Sequence, residues 1–137
     1  MRLTSFTDYG LRVLMRMAGE PSRAFTTAEL AEEFRISRNH LAKVISALAA
    51  AGCLETRRGG GGGATLADSP ENIRLGDVVA ALEADQAIVE CFAPGANACT
   101  LLPQCRLKSR LADANAAFIA DLNRSTLADC VYHPEKV

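Results

Sequence analysis

The stretch TTAELAEEFRISRNHLAKVISALAAAG, residues 26–52, contains two helical patterns separated by a short break. A capping box that begins at Thr26 or Thr27 and uses Glu29 opens the first pattern, and Ser37 opens the second. The second pattern carries apolar residues at helical spacing, namely Leu41, Val44, Ile45 and Leu48. Two helices joined by a short turn predict a helix-turn-helix, whose second helix enters the major groove of DNA.

The segment before this unit predicts one more helix. The helix begins at Ser5, with Asp8 three residues later as its capping-box partner, and it ends between Gly19 and Pro21. Its apolar face is formed by Tyr9, Val13, Leu14 and Met17. The chain therefore places a third helix beside the helix-turn-helix.

The segment after the second helix of the unit predicts a β-hairpin. Short strand-like runs lie on both sides of the glycines at 59–63, and Arg57 and Arg58 precede the turn. A hairpin at this position is the wing of a winged helix, whereas the alternative is a flexible glycine-rich linker. The strand-forming flanks favour the wing.

The C-terminal half predicts a short helix over Ile73–Leu82, an extended segment over Ala87–Phe92 and a long helix from Cys105 to about Arg124. The long helix carries an apolar stripe formed by Leu107, Leu111, Ala114, Phe118 and Leu122. About 20 residues make a helix of roughly 30 Å, longer than the N-terminal helices can cover. The stripe could belong to the core, but a partner helix from a second copy is favoured, which predicts a homodimer.

Three of the five cysteines, Cys91, Cys99 and Cys105, lie in one irregular segment between these helices. The segment also contains residues that interrupt regular helix, namely Pro94, Gly95, Asn97 and Pro103. A loop of this kind can bring three thiolates to one point, and thiolates bind iron–sulfur clusters, zinc or copper(I). A metal or cluster site beside a DNA-binding domain indicates a sensor.

Composition narrows the setting. The N-terminus lacks the apolar core of a signal peptide and the sequence has no apolar run of about 18 residues, so we expect a cytoplasmic protein without a membrane span. Residues 1–58 carry nine Lys and Arg against six Asp and Glu, although the 137-residue chain has a net charge of −1. A basic N-terminal part on an acidic remainder is typical of a small DNA-binding regulator.

Docking geometry indicates which residues meet DNA. On the recognition helix, Arg38 and Asn39 can bind base edges, Ser37 and Lys43 more often hold phosphates, and His40 is either a contact or a solvated surface residue. Arg12, Thr26 and Thr27 are expected phosphate contacts. Arg57 and Arg58 could enter a narrow minor groove. For each charged residue, the alternative is a solvated surface charge.

Five segments resemble the NsrR and IscR family of bacterial iron–sulfur winged-helix transcription regulators, which act as homodimers. They are MRLTSFTDYGLR at 1–12, Ser37-Arg-Asn-His40, the glycine-rich wing, Ile73-Arg-Leu-Gly-Asp-Val-Val, and the cysteine segment with Arg106-Leu-Lys108. They cover nearly the whole chain in the family's order. The resemblance implies residues 1–83 as a winged helix-turn-helix domain, 84–104 as a cluster-binding loop and 105–137 as a dimerisation helix and tail.

The same resemblance implies a ligand set. IscR-like members have a histidine three residues after the third cysteine, where this chain has Lys108. NsrR-like members instead use an aspartate of the partner subunit's first helix, and Asp8 stands at that position. The implied cofactor is a [4Fe–4S] cluster, with [2Fe–2S] as the alternative, held by Cys91, Cys99, Cys105 and Asp8. A carboxylate near a helix N-terminus is also stabilising without metal.

The expected function is therefore a repressor that binds palindromic operator DNA and releases it when its cluster is lost or nitrosylated. Nitric oxide as the signal is implied by the resemblance. Two alternatives remain: the same regulator with zinc or a thiol-redox switch at its cysteines, or an enzyme. The sequence has no HExxH motif, no nucleophile–His–acid set and no phosphate loop with its lysine, so we expect no enzymatic activity.

Overall fold

A computed structural model describes residues 2–58, 63–95 and 99–134. Within these ranges the chain forms, in order, α1 (Ser5–Ala18), α2 (Thr27–Phe34), α3 (Arg38–Ala50), β1 (Leu54–Arg57), β2 (Gly63–Leu66), α4 (Leu75–Leu82) and α5 (Arg106–Leu122), with short 3-10 helices at Pro70–Asn72, Glu90–Phe92 and Leu127–Cys130. The predicted architecture, mostly α with a small β-hairpin, is confirmed. Most glycines of the wing turn, Asn97 and the tail from 135 onward lie outside the described residues.

The core lies between α1, α2 and α3 and is closed by the hairpin and α4. Its buried residues on α1 and α3 recur at helical spacing, so each helix turns one apolar face inward. The largest fully buried side chains are Phe25, Leu14, Met17, Leu30, Leu41, Leu48 and Leu127. None of the helices in the described ranges is long and apolar enough to cross a membrane.

The cap of α1 differs from the prediction. The helix begins at Ser5, but its N-cap is Thr4, whose hydroxyl accepts the Thr7 backbone N–H at 3.3 Å. The Thr4 N–H and hydroxyl also donate to Glu83 Oε1, at 2.7 and 3.2 Å. This contact across the fold sets the start of the helix, so the predicted capping box between Ser5 and Asp8 is wrong.

The caps of the helix-turn-helix are as predicted. Thr26 and Glu29 exchange both bonds of a capping box, each at 3.1 Å, and the Ser37 hydroxyl accepts the His40 N–H at 3.1 Å. Arg35 closes α2 in the left-handed conformation, with φ of +56°. These local bonds set the angle at which α3 leaves α2.

The chain segments on the two sides of the glycines pair as a hairpin, as predicted, rather than flanking a flexible linker. β1 and β2 pair antiparallel with Leu54 opposite Leu66 and Arg57 opposite Gly63. Phe25, before α2, forms a bridge to Ala64 through two backbone hydrogen bonds of 2.8 Å. Gly63 has φ of +143°, and a Cβ there would lie 2.6 Å from the Phe25 carbonyl oxygen, so only glycine fits. The wing is therefore paired with the helix-turn-helix.

Two predicted elements of the C-terminal half have different bounds. The predicted helix over Ile73–Leu82 starts two residues later, because Ile73 and Arg74 are extended and Arg74 bridges to Thr126. The predicted extended segment over Ala87–Phe92 is wrong at its end, where Glu90–Phe92 forms a 3-10 turn. The long helix forms as α5, with Cys105 as its N-cap.

Candidate nucleic-acid interface and cysteine segment

The first turn of α3 presents a polar, basic surface. Arg38, Asn39 and Lys43 are exposed, whereas Leu41 and Val44 of the same helix are fully buried. Ser37 is also exposed, but its hydroxyl caps the helix. The apolar face of α3 therefore holds the helix in place, and two cations and an amide near its start are exposed.

His40 is half-buried and packs against α1. Its ring stands edge-on to Tyr9, with 5.2 Å between the ring centroids and 77° between the planes. This contact joins the recognition helix to α1. His40 is thus held against α1 by the Tyr9 ring, and its role as a DNA contact stays a prediction.

Arg12 and Asp8 form an ion pair on α1. The Arg12 Nε and Nη2 donate to Asp8 Oδ1 and Oδ2, at 3.1 and 2.7 Å, and both side chains are nearly half exposed. The Arg12 guanidinium also lies 5.6 Å from the centre of the Tyr9 ring. Tyr9 therefore stands between Arg12 and His40, which are two of the predicted DNA contacts.

The remaining predicted contacts lie at the start of α2 and on the wing. Thr26 is exposed and Thr27 half-buried, and the Thr26 hydroxyl is engaged in its capping box. Arg57 ends β1 and Arg58 follows it, both exposed. The structure thus places these residues on the surface of the N-terminal domain, together with the start of α3.

A buried cation, Arg16, supports this domain and was missed by the sequence analysis. Arg16 is 4% exposed and donates to Glu20 Oε2 and Glu33 Oε1, at 2.8 and 2.9 Å. Its guanidinium lies 4.9 Å from the centre of the Phe25 ring, and Arg23 approaches the same ring at 4.3 Å. Its burial could have been predicted from its position in the sequence, because Arg16 lies on the same helix face as buried Val13 and Met17.

This network changes two pKa values. Burial lowers the pKa of Arg16, but hydrogen bonds and charges from Glu20 and Glu33 outweigh burial and raise it overall. Hydrogen bonds from Arg16 and Arg23 lower the pKa of Glu20 below its ordinary value of 4.5. Arg16 and Glu20 therefore stay ionised at neutral pH, and the bond from Arg16 to Glu33 ties α1 to α2.

Cys91, Cys99 and Cys105 are free thiols, each half-buried. Cys91 lies in the Glu90–Phe92 turn, Cys105 caps α5, and Lys108 holds the segment by placing its ammonium 5.6 Å from the centre of the Phe92 ring. The donor chemistry fits an iron–sulfur cluster, since three free thiols share one irregular segment. The described residues of the single chain nevertheless hold no group of three His, Cys, Asp or Glu placed to bind a metal ion.

The other two cysteines differ from this group. Cys53 precedes β1, and burial, with a smaller contribution from Asp77, raises the pKa of its thiol. Cys130 ends the last 3-10 helix and is half-buried. Neither belongs to the segment that carries the other three thiols.

An open groove of about 730 Å³ runs between the start of α1, α4 and the inner face of α5. It is lined mostly by apolar side chains, including Leu3, Val79, Ile88, Leu111 and Phe118. No residue of α5 is buried in the single chain, and Leu107 is 62% exposed. The predicted apolar stripe is thus only partly covered.

Comparison with known proteins bears on both parts of the site. Residues 3–133 match the family model described as Rrf2, an iron-dependent transcriptional regulator. The HTH-type transcriptional regulator NsrR of Bacillus subtilis (strain 168) is 45% identical over 138 residues, covering 100% of this chain and 94% of the relative. The NsrR of Shouchella clausii is 42% identical over 136 residues, covering 98% and 91%.

Solved structures show the same fold. The global cysteine regulator CymR of B. subtilis superposes with a TM-score of 0.71 at 24% identity, covering 94% of this chain and 95% of that one. The predicted winged-helix architecture is therefore found in a solved structure that matches this chain over nearly its whole length. The curated relatives are named as transcriptional regulators, in agreement with the expectation of a regulator rather than an enzyme.

Proposed function

Because this chain belongs to the Rrf2 family of iron-dependent transcriptional regulators, as an NsrR-like member, we propose that it is a nitric-oxide-sensing repressor with a [4Fe–4S] cluster. The observation that carries the proposal is the pairing of two features in one short chain. An exposed basic recognition helix lies in the N-terminal domain, and three free thiols lie in one segment directly before α5. The first supplies operator binding and the second supplies the sensor.

Operator binding is assigned to the exposed residues of the domain. Arg38 and Asn39 bind base edges and Lys43 holds a phosphate, because they project from the start of α3. Thr26 and Ser37 use their hydroxyls as helix caps. At these two positions a phosphate would therefore be held by the backbone N–H groups at the N-termini of α2 and α3 rather than by the hydroxyls. The other residues assigned to DNA are Arg12, Thr27, His40, Arg57 and Arg58.

The residues that would hold the cluster are Cys91, Cys99 and Cys105, with the partner subunit's Asp8 as fourth ligand. Support comes from the donor set and from the lack of a complete site within the described residues of one chain. When bound, the cluster supplies iron that reacts with nitric oxide, and its loss or nitrosylation would lower operator affinity. Asp8 would supply an oxygen ligand, which would leave one iron more accessible than a fourth thiolate would.

Dimerisation through α5 is supported by the exposure of that helix in the single chain. A helix of 17 residues with an apolar stripe and no buried residue has a face that a second copy can cover. A dimer also presents two recognition helices, which a palindromic operator requires.

The proposal is tested by purifying the protein without oxygen and recording its visible spectrum, iron and acid-labile sulfide. Broad visible absorption with equal iron and sulfide is expected, and iron per chain separates [4Fe–4S] from [2Fe–2S]. Operator binding of the same sample should weaken after nitric oxide is added. A colourless protein that contains zinc would exclude the cluster, and operator affinity unchanged by nitric oxide would exclude the signal.

A second candidate uses the same DNA-binding surface with the cysteines as a zinc site or thiol-redox switch. It is favoured by one observation, namely that Cys91, Cys99 and Cys105 are free thiols, as a thiol-redox switch requires. In that case the anaerobic protein lacks iron, and operator affinity follows the oxidation state of the thiols.

A further inference from the structure

The start of α4 and the end of α5 are joined by a reciprocal pair of hydrogen bonds. The Asp77 backbone N–H donates to Asn123 Oδ1 at 2.9 Å, and Asn123 Nδ2 donates to Asp77 Oδ1 at 2.9 Å. The Asn123 side chain therefore satisfies a backbone donor of the first turn of α4, which otherwise has no side-chain cap. Asn123, the C-cap of α5, thus also caps the start of α4.

Backbone and side-chain bonds surround this pair. The Arg74 Nη1 donates to the Asn123 carbonyl at 2.8 Å, and the Leu75 N–H donates to the Ser125 carbonyl at 3.2 Å. The Leu127 N–H donates to the Ile73 carbonyl at 2.8 Å. Since each bond joins residues far apart in the sequence, the contact fixes the two segments to each other.

Gly76 shows how closely the two helices approach. A Cβ at Gly76 would lie 2.3 Å from the Ile119 carbonyl oxygen and 2.5 Å from Asn123 Oδ1. Any side chain there would push α5 away from α4. The helix backbones are therefore in direct contact at this end of α5.

This contact connects α5 to the recognition helix. Val78, beside Asp77 in α4, is 1% exposed and packs in the same core as Leu41, Val44 and Leu48 of α3. By contrast, Leu107 near the other end of α5 is largely exposed. The DNA-binding domain thus holds α5 firmly at its C-terminal end.

We propose that Asn123 is a positioning residue that fixes the direction of α5 relative to the recognition helix and so sets the spacing of operator half-sites. The inference rests on the proposed function, because only a dimer through α5 converts the direction of this helix into a distance between two recognition helices. If the Asn123 contact is lost, the direction of α5 is no longer fixed, and the separation and rotation of the two DNA-binding domains can vary. The dimer then binds operators with more than one spacing between half-sites.

The test compares the wild type with Asn123→Ala, Gly76→Ala and the control Asp113→Ala, all in the full chain. Asp113 lies on the same helix but away from the apolar stripe, its side chain is 73% exposed, and its ion pair with Arg110 stays within α5. The wild type first selects a palindromic duplex from a randomised library. Affinities are then measured for that duplex and for versions with one base pair inserted or deleted between the half-sites.

One inserted base pair moves a half-site by about 3.4 Å and rotates it by about 34°. Wild type and Asp113→Ala should lose about tenfold in affinity or more, whereas Asn123→Ala and Gly76→Ala should lose less than about threefold. The quantity compared is the ratio of the affinity for the selected duplex to the affinity for a duplex of altered spacing. A less stable protein lowers the active fraction equally for every duplex, so this ratio separates an effect on positioning from an effect on stability.

If Asn123→Ala and Gly76→Ala both show the same affinity ratio as the wild type, this inference is overturned and the proposed function is left intact. A wild-type protein that selects no palindrome would overturn the proposed function and the inference with it. A dimer that is retained in Asn123→Ala but accepts several spacings supports both.

Discussion

At the scale of single residues, Arg16 is the most enclosed charge of the DNA-binding domain. It is buried beside Phe25, the residue that pairs with the wing, and it binds Glu20, which follows α1, and Glu33 of α2. A buried cation requires such partners, because an unpaired charge in the interior costs several kcal/mol. Arg16 therefore connects the wing and α2 to α1.

Arg16→Met should lower the free energy of unfolding by about 1–3 kcal/mol at neutral pH, since Glu33 loses its partner. The pKa of Glu20 is lowered by folding, so its stabilising contribution is present above 4.5 and is lost as the pH falls through the lowered pKa. The difference between wild type and variant should therefore narrow below pH 4.5. Urea unfolding at a series of pH values measures this difference in the free energy of unfolding. A difference that does not change with pH would contradict the stabilising role of the Arg16–Glu20 pair.

A matched control for Arg16 is Arg110→Met. Arg110 is 79% exposed in its side chain and lies 3.8 Å from Asp113. Exposed pairs contribute little, so this variant should stay within about 0.5 kcal/mol of wild type at every pH.

The prediction for Asp8 is specific because Asp8 does not form the capping box of α1, whose N-cap is Thr4. Its pair with Arg12 is half-exposed, so Asp8→Ala should cost only about 0.3–0.5 kcal/mol and leave helix content unchanged. If Asp8 is a cluster ligand, the same change alters the visible spectrum and the rate of reaction with nitric oxide, and Asp8→Cys slows that reaction. Both are measured on anaerobic protein.

Asp113→Ala is the control for Asp8, because Asp113 also forms an exposed ion pair. It should leave the spectrum and the nitric oxide kinetics unchanged. A wild-type spectrum and wild-type kinetics in Asp8→Ala would remove Asp8 from the ligand set.

At the scale of elements, the predictions succeeded where the signal is local. The Thr26 and Glu29 capping box and the Ser37 cap depend on neighbours within three residues, and both are confirmed. Contacts between distant segments overrode the local signal elsewhere. Thr4 is fixed by Glu83, and Arg74 is held extended by Thr126, so the predicted cap of α1 and the start of α4 were wrong.

The stripe of α5 leads to a prediction about assembly. Leu111→Glu together with Phe118→Glu should give monomers in light scattering, because two charges would be buried in the proposed dimer contact. Ala120→Glu is the matched control, since Ala120 lies on the opposite side of the helix and is exposed. A dimer that survives both stripe changes would exclude this interface.

At the scale of the whole molecule, the uneven charge predicts how the domain binds DNA. Arg38→Ala should cost about 1–3 kcal/mol and relax base preference, whereas Lys43→Ala should weaken binding to all sequences and reduce the salt slope by about one. Fluorescence anisotropy at several salt concentrations, on a selected and a random duplex, measures both. Identical salt and sequence dependence of the two variants would contradict the division of roles.

The two parts of the site differ in how far the sequence could predict them. The exposed face of α3 follows from its helical period, so Arg38, Asn39 and Lys43 lie on the surface as expected. The cysteine segment has no regular spacing of apolar residues, so the sequence cannot predict where its thiols lie. The role of Asp8 is harder still to predict, because its proposed ligand role requires a second copy of the chain.

The order of pairing in the wing has a consequence for solubility. β2 pairs with β1 on one side and with Phe25 on the other, so β1 is the outer strand of the described hairpin. Glu55, Thr56 and Arg57 are exposed along it. Charged residues on an outer strand oppose edge-to-edge aggregation. The wing therefore resists pairing with a copy of itself, and its unpaired backbone remains available for water.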